Sequence, residues 1–170
     1  MNTISVHSRL YQIAEQQGGY SSPGQARRAG LSEALHPHHI RQGRFLCMRR
    51  GVYRLAECPE TPHADLMVAW LGAGEKAVVS HENALLLYGL TDLLPAGICL
   101  TVPRTVSRRL AGVRLHTARL NNEEITFRHG LPVTCCLRVC VSVAPACSRS
   151  GCTRRFLRRC GVAWSARRPA

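Results

Sequence analysis

A chain of 170 residues with 45% apolar side chains is long enough for one ordinary domain or two small ones, and apolar enough for a real core, which excludes a disordered polymer. Its formal net charge is +13, and all but Lys76 of its 23 basic residues are Arg. That balance favours a polyanionic partner, because the guanidinium fork pairs bidentately with phosphate and with guanine.

The charge is unevenly spread. Residues 1–55 carry eight Arg against Glu15 and Glu33, and residues 56–134 carry seven basic against eight acidic groups. Residues 135–170 carry eight Arg, no Asp or Glu, and six of the nine cysteines. Composition therefore divides the chain into residues 1–57, 58–134 and 135–170. No apolar run approaches the roughly 18 residues a membrane span needs, and the opening MNTISVHSRLYQIAEQQ is amphipathic rather than a leader, so a cytoplasmic protein without a membrane partner is expected. Cys47, Cys58 and Cys99 stand singly in apolar company and are expected as buried free thiols.

In chain order, Val6, Leu10, Ile13 and Ala14 recur at helical spacing, with Ser5 to cap the start and Gly18-Gly19 to end it. A second short helix opens at Ser22, with Pro23 in the first position, and closes at Gly30. Gly30-Leu31-Ser32 reads as a tight turn into a third helix over residues 32–42, the candidate recognition helix. Pro37 falls inside it at a cost of about 3 kcal/mol. Starting that helix at His36 removes the conflict and leaves roughly six residues for base readout. Two strands, residues 44–48 and 52–55, then flank Arg49-Arg50-Gly51.

The order helix, helix, turn, helix, basic hairpin predicts a winged helix-turn-helix on double-stranded DNA. One helix enters the major groove while the hairpin reaches flanking phosphate or minor groove. The candidate contacts are Arg41, Arg44, Arg49, Arg50 and Arg54. His38 and His39 serve as groove-facing polar groups, and Arg27 and Arg28 lie against phosphate or solvent. The alternative is an ordinary solvated basic face. His36, His38 and His39 have no cysteine or carboxylate at tetrahedral spacing, so neither a metal nor another cofactor is expected.

In the middle segment, Thr61-Pro62 repeats the cap-plus-proline start, and Ala64, Leu66, Met67, Trp70 and Leu71 form an apolar face that ends at Gly72. A short strand at residues 77–79, a helix capped by Ser80 over residues 81–88, and strands Ile98–Val102 and Val113–Thr117 follow. Ser80, His81 and Glu82, adjacent at a helix start, point in different directions and form no catalytic relay, so an enzyme is not expected. Arg104, Arg108 and Arg109 either extend a DNA footprint or solvate a loop. The fold class is α+β: an N-terminal winged helix-turn-helix, then a small mixed α/β domain, then a poorly ordered Arg/Cys-rich tail.

The segments LYQIAEQQGGY, SSPGQARRAGLS, MRRGVYRLAECPETPH, VVSHENALLLYGL and ICLTVPR together resemble the AbiEi family of antitoxins, over residues 10–134. The resemblance implies a winged helix that binds the chain's own promoter and represses its operon. It also implies a following domain that counteracts a nucleotidyltransferase-like toxin encoded next door, without a stable complex, the type IV arrangement. Such winged helices are also joined to nuclease-like domains. A remnant of a DNA-processing protein is therefore an alternative, although the carboxylates it needs beyond Thr134 are not in this chain. A winged helix that binds protein is another. From Cys135 the composition is that of a GC-rich frame read out of register, which predicts a frameshifted tail. Its cysteines lack Cys-x2-Cys pairs, so no zinc site is expected there.

Overall fold

A computed structural model describes residues 6–31, 35–91, 94–106 and 109–139. Helix α1 (Val6–Gln16) buries Leu10 and Ala14, one turn apart on a single face, and is followed by Gly18 and Gly19 with φ of 62° and 90°. That left-handed exit lets Gly19 N–H reach the Ala14 carbonyl and turns the chain into strand β1 (Tyr20–Ser21). Helix α2 (Pro23–Arg28) begins with a complete capping box: the Ser22 hydroxyl accepts from Gln25 N–H while the Gln25 side chain accepts from Ser22 N–H. The Gln25 amide also donates to Gln17 Oε1 at 2.9 Å, which satisfies two buried polar groups between α1 and α2.

Helix α3 (Leu35–Arg41) is seven residues long. Pro37 is its third residue, in the first turn, where a backbone N–H would have no acceptor inside the helix. Residues 32–34, where the eleven-residue reading starts the helix, lie outside the described residues. Strands β2 (Phe45–Arg49) and β3 (Val52–Leu55) form an antiparallel hairpin, and β1 adds to β3 to give the order β1-β3-β2. One face of this sheet, with Phe45 and Leu55, closes on Leu10, Ala14, Ala26, Ala29, Leu31 and Cys58.

The other face, with Tyr20 and Val52, is buried against helix α4 (Ala64–Ala73). The N-cap of α4 is His63, not Thr61, because Thr61 packs its methyl on the Gly18 turn. The helix runs past Gly72 to end at Gly74. Strand β4 (Val78–Val79), helix α5 (His81–Leu87), β5 (Ile98–Val102) and β6 (Val113–Thr117) follow, then β7 (Ile125–Arg128) and β8 (Leu131–Thr134). These strands form a mixed sheet in the order β6-β5-β4-β8-β7, parallel at β5/β6 and β4/β8. α4 and α5 cover Val79, Leu100, Val102, Leu131 and Val133. The molecule is thus α+β, with two sheets that share α4 as a wall.

The sequence boundary at Thr134 is not where packing stops. Cys135 N–H donates to the Glu124 carbonyl at 2.7 Å, residues 136–139 make a helical turn, and Val139 is 0% exposed in the larger core. The expected poorly ordered tail therefore does not begin at Cys135. Its remainder, residues 140–170, lies outside the described residues. No helix among the described residues is long and apolar enough to cross a membrane.

Candidate nucleic-acid interface

Residues 34–56 contain eight basic or imidazole-bearing positions from His36 to Arg54 and no carboxylate. The loop joining α3 to β2 is tied at both ends. Gly43, at φ 71°, lets Arg44 N–H reach the His39 carbonyl at 3.0 Å, and Ala56 N–H donates to the Arg44 carbonyl. Ile40 and Phe45 anchor this joint in the smaller core. His38, Arg41 and Arg44 are left exposed along it, and Arg50 is exposed at the hairpin turn. His39 instead sits half-buried, its ring edge-on to Phe45 at 5.5 Å, and acts as packing for the joint rather than as a fully groove-facing group.

The remaining sequence-predicted residues are distributed differently. Arg27 and Arg28 are exposed in the last turn of α2, and Arg28 is ion-paired with Glu75 from the loop after α4. Arg54 lies opposite Tyr20 in the β1/β3 ladder, on the face turned to α4. Its Nε and the Tyr20 hydroxyl are both buried, with the guanidinium beside the phenol. Burial pushes the Tyr20 phenol above its ordinary value, while the Arg54 guanidinium beside it pulls the other way. Arg49 is half-buried, and its Nη2 donates to the Ala111 carbonyl at 2.8 Å. Cys47, expected to be buried, is exposed, because beyond Phe45 strand β2 carries Leu46, Cys47 and Met48 at the surface.

Of the second loop cluster, Arg104 and Arg109 are exposed beside β5 and β6, while Arg108 lies outside the described residues. A polar cluster gathers Cys99 and Thr101 of β5 and His116 of β6 around Ser80, His81 and Glu82 at the start of α5. Ser80 does not cap α5 with its side chain. Its hydroxyl instead accepts from Thr101 Oγ1 at 2.9 Å and lies 3.0 Å from His81 Nδ1. Contact between adjacent side chains is possible because His81 has φ 55°, a left-handed conformation that turns its ring back over the strand. There it stacks on His116 at 3.9 Å. Burial, then the neighbouring His116, lowers the His81 imidazole below its ordinary value, against the Glu82 carboxylate. Cys99 beside it is pushed up to about 11, first by burial and then by Glu82. With Ser80 only 1% exposed and Cys99 held as a thiol, the cluster offers no accessible nucleophile.

No family model and no curated protein matches this chain. Among solved structures, the crystal structure of the RV2827C protein from Mycobacterium tuberculosis is similar at a TM-score of 0.46 and 16% sequence identity. The alignment covers 82% of this chain and 60% of that one, so the chain spans less than two thirds of that protein's length.

Proposed function

We propose that α1, α2, α3 and the β2–β3 hairpin form a winged helix-turn-helix that binds double-stranded DNA, and that the chain is a transcriptional regulator. The single observation that carries the reading is the carboxylate-free stretch from α3 to the hairpin turn, which leaves His38, Arg41, Arg44 and Arg50 exposed on one continuous segment. A helix followed by a basic hairpin suits a groove with flanking phosphates, and exposed guanidinium groups release counterions when they meet them. Among the described side chains of α3 only His38 and Arg41 are exposed, so phosphate contacts supply most of the affinity in this reading. The resemblance to AbiEi antitoxins adds the expected operator, the DNA upstream of the chain's own gene. It also adds a functional link to a nucleotidyltransferase-like toxin without a stable complex.

The test is an electrophoretic mobility shift of the full chain on that upstream DNA, with scrambled competitor, at two salt concentrations. Retention that survives competitor and weakens with salt supports operator recognition. Arg50→Ala is expected to weaken it and to lower the salt slope by about 0.9, the value of one phosphate contact. Absence of any shift sinks the reading.

A further inference from the structure

The β2–β3 ladder shifts register between Cys47 and Arg49, so Arg49 rather than Met48 stands opposite Val52. Val52 is fully buried in the cluster that contains α4. Arg49 follows it toward that helix. Its Cδ and a methyl of Leu110 each come within 3.7 Å of where a Cβ on Gly72 would lie. Its Nη2 then meets the Ala111 carbonyl at 2.8 Å. The stem is packed on α4 and the head holds a backbone acceptor on the loop before β6. Arg50, the next residue, is exposed and has neither restraint among the described residues.

We propose that Arg49 is a positioning residue and not a DNA contact: it fastens the β2–β3 hairpin to residues 110–112, so that Arg44 and Arg50 meet the duplex at a set angle. The proposal rests on the DNA-binding reading above. A hairpin already held in its bound orientation loses less freedom on association, and the gain appears as affinity at every salt concentration. A phosphate contact acts otherwise, because its contribution shrinks as salt rises. Arg49 and Arg50 carry the same charge one residue apart, so matched neutral variants separate the two roles.

The experiment compares full-length wild type, Arg49→Gln and Arg50→Gln on the upstream DNA by fluorescence anisotropy across a salt series. Hydrogen exchange of the same free proteins is followed by mass spectrometry. Arg50→Gln is expected to flatten the salt slope by about 0.9. Arg49→Gln is expected to raise Kd by about three- to tenfold at all salts, with the slope unchanged. In the free protein, Arg49→Gln speeds exchange at the hairpin and at residues 110–112, and Arg50→Gln does not. Equal flattening by both variants overturns the proposal, as does unchanged exchange in Arg49→Gln. Should wild type bind no DNA, the functional reading fails, and the exchange data still decide whether Arg49 fastens the hairpin.

Discussion

Val139 provides a direct test of where the folded chain extends past Thr134. Its side chain is 0% exposed in the core built on α4, α5 and the second sheet. Val139→Ala removes two methyl-sized groups, each with about 0.8 kcal/mol of transfer free energy, and leaves a cavity whose lining relaxes only in part. The expected loss is about 1.5–3 kcal/mol, a large share of the roughly 5–15 kcal/mol that holds a domain. With a urea m-value of about 2 kcal/mol/M, the unfolding midpoint of the full chain falls by about 1 M, with m unchanged. The assay is urea denaturation followed by far-UV circular dichroism. Leu137, two residues earlier and 62% exposed, is the control, and Leu137→Ala is expected to shift stability by less than about 0.5 kcal/mol. If Val139→Ala moves the midpoint no more than Leu137→Ala, the turn at residues 136–139 is not core, and the fold ends where the composition changes.

Acidification provides a second test. Burial, with a second histidine beside each, lowers both His81 and His63. The unfolded chain takes up protons below about pH 6.5 that the folded chain resists, so stability is full above that pH and falls as pH drops through it. The melting temperature should decline from pH 7 toward 5.5, and His81→Asn, which tolerates a positive φ, should remove part of that decline; a rise on acidification contradicts the assignment. Gly130 provides a third. It has φ 77°, and a Cβ there would lie 2.2 Å from the Gln16 carbonyl oxygen, whereas Gly112 has φ 76° with open space around it. Gly112→Ala should cost about 1–2 kcal/mol from backbone strain alone, and Gly130→Ala clearly more. Equal melting temperatures for the two variants would show that the β7–β8 turn does not press on the end of α1.

Much of the fold was readable because its signals are local. α1, the Ser22-Pro23 start of α2, β3, β5 and β6 lie where periodicity, caps and flanking glycines put them. Signals that depend on tertiary partners were not readable. β8 is an inner strand that contains Pro132, and β7 exposes Phe127, so neither shows the alternation of a half-buried strand. β1 is two residues long. The stacking of His81 on His116 joins residues 35 apart through a left-handed backbone, which no spacing rule reaches. At the candidate interface the residue types were visible, but not which arginines face α4. Arg54 turns inward because it pairs with Tyr20, and Arg49 because of the register shift.

That shift makes the hairpin a matter of parity. One extra residue in β2 decides that the first arginine of the Arg49-Arg50 pair turns inward and the second outward. In a regular ladder Met48 would stand opposite Val52 and Arg49 would fall in the turn, with no change of any amino acid in the motif. Homologous hairpins of unequal length therefore cannot be compared arginine by arginine. The residue that corresponds to Arg49 is whichever one stands opposite the buried valine, wherever it falls in an alignment.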